Sequence, residues 1–398
     1  MPSDRARGIL DYLGSCRAEM YKVLERLVAA ESPSRDPASQ VEVQAALTRE
    51  LNASGFRVRR LPGRETGGHL LAVPRARSRH KPIQALIGHC DTVWPRGTLS
   101  RMPITIRAGR MTGPGIYDMK GGLVSMIFAL RAIGQLGLEP EVLPVVFVNS
   151  DEEIGSGESH RTVERLSKIA DRVLVLEPPL GESGALKTAR KGVGQFRIRV
   201  TGKAAHAGLE PSKGVSAILE LSHVVQKLFA LNDPERGITV NVGTIDGGLR
   251  PNVVAPESTA DVDVRVLTTQ QARDVEAAIR SLEPATPGAA LAVEGDVDIP
   301  PLERTPRNRL LWRRAQAVAR ELDMDLEECL AGGGSDGNVA SLYAPTLDGL
   351  GPVGAGAHAA HEFIELDSMV ERGALLALLL LEPPLNWRSE LGSQNDES

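Results

Sequence analysis

A chain of 398 residues is longer than one typical hydrophobic core supports, so its length predicts two domains. A net charge of −5 and an aromatic content of 3% argue against the basic surface and stacking side chains that nucleic-acid binding uses. The longest apolar run, residues 374–381, is too short to span a bilayer, and residues 1–14 have no apolar stretch of signal-peptide length. With 3 widely spaced cysteines and no disulfide framework, the composition favours a cytoplasmic protein without membrane contact.

Up to about residue 190 the sequence alternates between helical and strand patterns. Apolar residues recur at helical spacing in four segments, residues 9–29, 40–51, 119–136 and 159–170. Strand patterns occupy residues 56–61, 70–73, 83–87, 143–148 and 173–176. Strands that alternate with helices predict an α/β fold with a doubly wound, mostly parallel sheet.

From about residue 191 the order of elements changes. The predicted strands are residues 194–200, 239–245, 258–266 and 290–293, and the predicted helices are residues 215–231 and 269–282. The resulting order, β-α-β-β-α-β, is the ferredoxin-like plan of a small α+β domain. We therefore expect a larger domain made of residues 1–190 and 302–385, a smaller one inserted at 191–301, and a polar tail at 386–398.

Two adjacent carboxylates, Glu152 and Glu153, follow the predicted strand at residues 143–148. Gly155 then permits the backbone to turn sharply. A carboxylate pair at a strand end can provide one metal ligand and one proton carrier. An acidic loop is more often simply solvated, so this pair gains meaning only from its neighbours.

Other polar residues also follow predicted strands or loops. His89 and Asp91 come directly after the strand at residues 83–87, and a carboxylate at that spacing can hold the second nitrogen of a metal-binding imidazole. Asp118 closes a glycine-rich loop before a helix, where an isolated aspartate is usually an N-cap. Each residue alone has an ordinary structural explanation.

The last candidates are Glu177, at the end of the next strand, and the histidines His358 and His361, either of which can be a plain loop residue. In an open α/β sheet, ligands bind at the carboxyl ends of the strands. Imidazoles and carboxylates that converge there suit zinc, which accepts nitrogen and oxygen ligands and can keep a position open for water. So many acids favour two ions over one.

Five segments resemble, in order, the M20 family of metallopeptidases. They are GHCDTV at 88–93, GPGIYDMKGG at 113–122, SDEEIGS at 150–156, GKAAHAG at 202–208 and the segment ending in His361-Glu362. The resemblance covers nearly the whole chain and is greatest to the branch of glutamate carboxypeptidases that act on folates. It implies a zinc-hydrolase catalytic domain with an inserted ferredoxin-like dimerisation domain.

The resemblance also implies a metal site with two Zn²⁺ per chain, for which Co²⁺ or Mn²⁺ are alternatives. The implied ligands are His89 and Glu177 for one ion, Glu153 and His361 for the other, and Asp118 as the bridge between them. Glu152 is implied as the general base and Asp91 as the residue that orients His89. The peptide bond between Asp118 and Met119 is cis in this family.

In the inserted domain, His206 is implied to stabilise the oxyanion in the active site of the partner subunit of a homodimer. The implied substrate-binding residues are Asn252, Arg265 and Arg304, and the backbone N–H of Gly333, in the glycine loop at residues 332–334, is a further candidate donor to the substrate carboxylate. Arg304 matches an arginine that binds the substrate carboxylate, although Arg307 and Arg309 lie close enough in sequence to take that role.

The resemblance thus implies hydrolysis of an amide bond next to a free carboxylate, in a small N-acyl amino acid or peptide. Two alternatives stay open. Biosynthetic deacylases or desuccinylases share every metal motif with the carboxypeptidases. A non-catalytic metal-binding dimer is the other alternative, and the presence of Glu152 argues against it, because a protein without catalysis has no need of the base.

Overall fold

The computed structural model describes residues 3–76 and 80–392. They form two compact units, the larger built from described residues of the ranges 1–188, 304–330 and 335–398, the smaller from 189–303 and 331–334. The two main boundaries lie within two residues of the predicted ones, whereas the short segment 331–334 was not predicted to join the smaller unit. In the predicted polar tail, residues 387–392 are helical and residues 393–398 lie outside the described residues.

The helices are numbered in chain order. They are α1 (Asp4–Ser15), α2 (Arg17–Ala29), α3 (Gln40–Ala53), α4 (Gly121–Gln135), α5 (His160–Ile169), α6 (Ala217–Phe229), α7 (Thr269–Arg280), α8 (Pro306–Glu321), α9 (Asp336–Ala340), α10 (Ser368–Leu381) and α11 (Trp387–Gly392). The helix predicted over residues 9–29 is in fact two helices, α1 and α2, which are separated at Cys16. Helical spacing continues across that break, so the sequence pattern did not reveal it.

The strands are numbered in the same way. They are β1 (Phe56–Leu61), β2 (His69–Pro74), β3 (Ile83–His89), β4 (Thr105–Arg107), β5 (Arg110–Thr112), β6 (Leu143–Asn149), β7 (Ala170–Val175), β8 (Leu186–Arg190), β9 (Gly192–Thr201), β10 (Thr239–Gly247), β11 (Glu257–Val266), β12 (Ala290–Ile299), β13 (Glu328–Ala331), β14 (Thr346–Leu347), β15 (Gly354–Ala355) and β16 (Phe363–Glu365).

The larger unit is organised around a six-stranded sheet in the order β1-β2-β6-β3-β7-β14. Strands β6, β3, β7 and β14 are parallel, and the β1–β2 and β2–β6 pairs are antiparallel. Along β3, Leu86 packs into the core on one face, while Ala85 and Ile87 pack into the core on the other. Both faces are therefore covered, as expected for a doubly wound sheet.

Parallel pairing aligns the ends of the three central strands. His89 at the end of β3 is level with Asn149 of β6, and Ile87 is level with Val175 of β7. The loops that follow these strands therefore leave the sheet at the same edge. This register fixes the position of the site described below.

A second, four-stranded sheet in the order β15-β16-β5-β4 lies in the same unit and was not predicted. Its strands are only two or three residues long. Such segments are too short to show an alternating pattern of apolar and polar residues. They matter because β5 leads into the loop that contains Asp118.

The smaller unit has the predicted order of elements, β9-α6-β10-β11-α7-β12. Its antiparallel sheet has the strand order β10-β11-β9-β12, with β10 and β12 at the edges. Buried residues alternate with exposed ones along β9, and Phe196, Ile198 and Val200 pack in one cluster with Leu221 of α6 and Val275 of α7. This is the ferredoxin-like plan.

In the described part of the chain, no helix combines the length and the apolar character needed to cross a bilayer. Helix α10, which contains the longest apolar run of the sequence, is 14 residues long and packs against α4 in the core of the larger unit.

Two glycines of α4 offer a matched test of how closely this helix approaches the sheet. A Cβ atom at Gly122 would lie 2.0 Å from the carbonyl oxygen of Leu176, the residue before Glu177, whereas one at Gly134 would meet nothing within 4 Å. We expect Gly122→Ala to lower the free energy of unfolding by about 1–3 kcal/mol, because the backbone of α4 or of Leu176 must move to make room for the methyl group. Gly134→Ala should raise it by about 0.5–1 kcal/mol, because alanine favours helix. Urea denaturation measures both, and equal effects would contradict the close contact.

Candidate metal centre

His89, at the end of β3, lies between two carboxylates. Its Nε2 atom is 3.1 Å from Oδ1 of Asp118 and 3.5 Å from Oε1 of Glu177. The histidine is only 1% exposed, so this contact is shielded from bulk water. Asp118 follows the irregular turn after β5, and the Asp118–Met119 peptide bond is cis, as the resemblance implied.

A second histidine faces the other oxygen of the same aspartate. Nε2 of His358 is 3.5 Å from Oδ2 of Asp118 and 3.1 Å from Oε2 of Glu153. Asp118 therefore presents one oxygen to each imidazole, and each imidazole has a further glutamate of its own. The arrangement is a pair of similar donor sets that share one carboxylate.

The sequence prediction placed His361 in this position, and the structure does not bring it there. His361 is exposed, and its side chain makes no hydrogen bond or ion pair with any described residue. The two histidines lie three residues apart in one loop, so the conformation of the backbone decides which one points inward. His358 has a φ angle of 61°, within a turn in which the N–H of Ala359 donates to the carbonyl of Gly356 at 2.8 Å.

Asp91 lies behind His89 and contacts it twice. Nδ1 of His89 is 3.0 Å from the carbonyl oxygen of Asp91 and 3.4 Å from its carboxylate Oδ1. The same carboxylate accepts the backbone N–H groups of Glu152 at 3.3 Å and Glu153 at 3.2 Å, and the hydroxyl of Ser34 at 2.7 Å. Asp91 thus holds the imidazole and the acidic loop in one arrangement, a wider role than the sequence suggested.

Glu152 and Glu153 occupy a short turn at the end of β6. Ligand atoms of Glu152, His89 and Glu177 all lie within 4.8 Å of one another, as do those of Glu153, His89 and Asp118. Oε1 of Glu153 is buried and accepts no hydrogen bond from the described residues. A buried carboxylate oxygen without a donor is costly unless a cation approaches it.

A buried aspartate that the sequence analysis did not select, Asp336, supports this loop. It accepts hydrogen bonds from the amide of Asn149 at 2.6 Å and from the hydroxyl of Ser156 at 2.7 Å. Burial raises the pKa of Asp336 to about 6. Its sequence context, a serine and glycines at a helix start, signals an N-terminal turn and gives no hint of this contact.

A buried lysine and a buried glutamate near the cluster were also not selected. Nζ of Lys187 lies 3.9 Å from Oε2 of Glu177. Glu362 is 0% exposed and accepts backbone N–H groups from the loop that contains Asp118. In the sequence, each is a single charged residue without a periodic pattern around it, so only the folded chain reveals their positions.

The electrostatics of the cluster are those of acids held together by positive charge. Burial opposes an imidazolium at His89, but its contacts with Asp118, Asp91 and Glu177 raise its pKa well above the ordinary value. Hydrogen bonds to Asp118 and Glu153 raise the pKa of His358 to about 10. In the metal-free protein, protonated imidazoles thus balance part of the negative charge of the carboxylates.

The pKa values of the carboxylates shift in opposite directions. Burial raises the pKa of Glu152 well above its ordinary value, and the nearby charge of Glu177 adds to the effect. Burial also favours the neutral form of Asp118, but hydrogen bonds from His358 and His89 outweigh it and lower its pKa. The residue that faces both imidazoles is therefore the one most strongly held in its charged form.

These residues fit two divalent cations. The donor set is imidazole nitrogen and carboxylate oxygen, which zinc and its neighbours in the first transition row accept. Four carboxylates carry a formal charge of −4, which two divalent ions would neutralise; they are Asp118, Glu152, Glu153 and Glu177. Cations would replace the protons of the imidazoles, since metal binding requires the neutral ring.

Of the predicted residues in the smaller unit, His206 has the most defined geometry. Its Nδ1 atom accepts the backbone N–H groups of Gly208 at 3.1 Å and Leu209 at 3.2 Å. In a neutral ring the proton therefore resides on Nε2. The carbonyl of Asn252 accepts the N–H of Ala207 at 3.0 Å, so the loops of His206 and Asn252 are adjacent.

The predicted arginines both have acidic partners. In the smaller unit, Arg265 forms a bidentate pair with Asp263, with both distances at 2.9 Å. In the larger unit, Nε of Arg304 lies 3.2 Å from Oε2 of Glu328, whose Oε1 is 2.7 Å from Nη1 of Arg309.

Arg307, the alternative to Arg304, and the predicted substrate contact Gly333 also have hydrogen-bond partners. Arg307 donates to the carbonyl of Ser341. Gly333 is exposed, and its carbonyl accepts a hydrogen bond from Arg190 at 3.1 Å.

Comparisons with known proteins give a consistent result. The profile of peptidase family M20/M25/M40 matches residues 85–382. Carboxypeptidase G2 of Pseudomonas sp. (strain RS-16) is 28% identical over 91% of this chain and 89% of its own length. Among solved structures, aminopeptidase PepT of Bacillus cereus aligns with a TM-score of 0.76 at 22% identity, covering 92% of this chain and 98% of its own.

A further neighbour is the YXEP protein of Bacillus subtilis, a dinuclear metal-binding peptidase of the M20 family. It aligns with a TM-score of 0.67 at 15% identity, over 92% of this chain and 98% of its own. At that level of identity the alignment establishes the fold.

An α/β unit with paired imidazole–carboxylate donor sets at the strand ends, together with an inserted ferredoxin-like unit, defines a metal-dependent hydrolase. The match to the family profile covers most of the sequence, so the chain belongs to peptidase family M20/M25/M40. It is an enzyme, a metallopeptidase of that family.

Alanine substitutions at the two loop histidines should separate their roles. His358→Ala removes the imidazole that faces Asp118 and Glu153, so the zinc retained after reconstitution and dialysis should fall by about one ion per chain. His361→Ala, three residues away and exposed, should retain as much zinc as the unchanged protein. Metal analysis of both proteins provides the measurement, and the reverse pattern would restore His361 as the ligand.

Proposed function

We propose that this enzyme hydrolyses an amide bond next to a free carboxylate, in a small N-acyl amino acid or peptide, as a glutamate-type carboxypeptidase or N-acyl-amino-acid hydrolase. The observation that carries the proposal is the position of Asp118, whose two oxygens face His89 and His358 separately. A shared carboxylate between two donor sets is what a dinuclear hydrolytic centre needs. Glu152 lies beside that centre and is available for proton transfer.

The proposed ligands are His89, Glu177 and Asp118 for one ion, and His358, Glu153 and Asp118 for the other. His358 takes the place that the sequence assigned to His361. Zinc is the proposed metal, with cobalt or manganese as alternatives, and the ions would polarise the scissile carbonyl and increase the acidity of a water molecule.

Glu152 is the proposed general base. It would take a proton from the attacking water and deliver it to the leaving nitrogen, so that the C–N bond breaks to give a carboxylic acid and an amine, between which the remaining acidic proton then passes. Burial and the neighbouring charge of Glu177 raise the pKa of Glu152, and a raised pKa favours a carboxyl group that can hold the proton between the two transfers. Asp91 would keep Glu152 in place through the backbone N–H that it accepts.

The similarity to carboxypeptidase G2 supports a carboxypeptidase substrate with a terminal carboxylate. Arg304 remains the proposed partner of that carboxylate, and it would have to share its guanidinium with Glu328. Arg265, Asn252 and Gly333 are the proposed substrate contacts of the smaller unit. A screen of N-acyl amino acids and dipeptides with the zinc-loaded protein tests the substrate class, and would also detect a deacylase or desuccinylase.

A homodimer is part of the proposal. The sheet of the smaller unit has edges at β10 and β12, and edge strands are ready sites for pairing with another chain. Pairing across a two-fold axis would cover one edge in each subunit. His206 is exposed and its Nδ1 already accepts backbone N–H groups, so its Nε2–H would then donate to the oxyanion in the active site of the partner subunit.

Replacing Glu152 by glutamine should separate catalysis from metal binding. Glutamine keeps the shape of the side chain but cannot carry the proton, so kcat should fall by about 10²–10⁴ or more. Metal content should persist in Glu152→Gln, while Glu153→Ala should lose at least one ion, because Glu153 is a proposed ligand. Full activity of Glu152→Gln would refute the mechanism, and an unchanged protein inactive on every substrate would favour a non-catalytic metal-binding dimer.

Mixing two inactive variants should test whether His206 acts across the dimer. In mixed dimers of His206→Ala and Glu152→Gln, one site receives an intact Glu152 from one chain and an intact His206 from the other. Activity should therefore return after subunit exchange, to at most about one site in two per mixed dimer. Exchange can be verified with differently labelled chains. Proven exchange without any recovered activity would show that His206 does not act across the interface.

A further inference from the structure

Two short strands connect the loops that contain Asp118 and His358. β16 pairs antiparallel with β5, so that Phe363 is level with Thr112 and Ile364 with Met111. β5 runs directly into the loop of Asp118, and β16 follows directly after the turn of His358. The two halves of the candidate metal centre therefore diverge from one point of this small sheet.

Glu362 is located at that point. Its Oε1 atom accepts the backbone N–H groups of Tyr117 at 2.8 Å and Asp118 at 3.1 Å. Its Oε2 atom accepts the N–H of Gly115 and Nε1–H of Trp94, both at 2.9 Å. The side chain is 0% exposed, so water does not compete for these contacts.

The four donors match an ionised carboxylate, which accepts at both oxygens and donates at neither. A glutamine in the same place would turn one end of the side chain into an NH₂ group facing N–H donors. At least one buried N–H would then lose its acceptor, which costs about 1–3 kcal/mol. The loop has little freedom to adapt, because Gly115 has a φ of 70° and a Cβ there would lie 2.3 Å from Thr92.

We infer that Glu362 is a positioning residue for the metal centre, one that acts through the backbone of Asp118. Its carboxylate fixes the N–H of Asp118 relative to the turn that presents His358, and so fixes where the shared aspartate lies between the two donor sets. The inference rests on the proposed function, since it requires that the cluster binds two ions. Glu362 thus lies outside the ligand set and yet decides whether both ions bind side by side.

Because Asp118 is shared by both donor sets, a change at Glu362 should weaken the binding of one ion more than that of the other. A change in its backbone shifts Oδ1 and Oδ2 together, so one carboxylate can no longer satisfy both donor sets. His89 is held independently by Asp91. The ion bound near His89 should therefore persist, while the ion bound near His358 should be weakened.

Glu362→Gln in the full-length protein, reconstituted with Mn²⁺, tests this inference. In the unchanged protein we expect two Mn²⁺ per chain and an electron paramagnetic resonance spectrum of two coupled ions. In Glu362→Gln the affinity for the second ion should fall about 10–100-fold, the range found for residues that support metal ligands. The coupled spectrum should give way to that of an isolated ion.

Two controls separate this role from a general loss of stability. His361→Ala, the adjacent residue, should leave Mn²⁺ affinity and spectrum unchanged. Thermal unfolding of the metal-free proteins shows whether Glu362→Gln remains folded. If it does not, Glu362→Asp is the second variant. It keeps the charge but is too short to reach every donor, so weaker binding of the second ion is expected.

The outcomes are distinct. Two coupled Mn²⁺ ions with unchanged affinity in folded Glu362→Gln, or in Glu362→Asp if that variant must be used, would overturn the inference and leave the proposed function intact. If the unchanged protein itself binds no metal, the proposed function fails first. A loss of the second ion in the Glu362 variant, with His361→Ala unaffected, supports the inference.

Discussion

Four carboxylates lie close together in a largely buried site, and their mutual repulsion is the constraint on which the candidate metal centre depends. Each has an oxygen within 4.8 Å of a ring nitrogen of His89. Such a group is stable only when positive charge lies among the oxygens. The imidazoles supply some of that charge, and two further carboxylates, Asp91 and Glu362, hold the loops of the cluster in place by accepting their backbone N–H groups.

Much of this arrangement follows from the sequence because it depends on regular structure. The strand patterns before His89, Glu152 and Glu177 predict a parallel sheet, and parallel strands place their carboxyl ends at one edge. The inserted unit was predictable for the same reason, since its apolar residues recur about every two residues in the strands and every 3.6 residues in the helices. In both units, long elements with one buried face determine the topology.

The features that the sequence did not reveal depend on short or irregular segments. His358 and His361 are equivalent as letters in a loop, and a single turn with a positive φ at His358 distinguishes them. Glu362 was noticed only as part of a family motif, because its partners are backbone groups from a loop more than two hundred residues away. Arg304 was assigned a role without its partner Glu328, which no local pattern connects to it.

The two points at which the smaller unit leaves and rejoins the chain lie side by side. Arg190 and Leu302, near its two ends, exchange backbone hydrogen bonds at 3.0 and 3.1 Å. The segment therefore begins and ends at neighbouring points, as inserted domains commonly do. Deleting the segment would leave two chain ends close enough for a short linker to join them, because each pairs with the other through backbone hydrogen bonds.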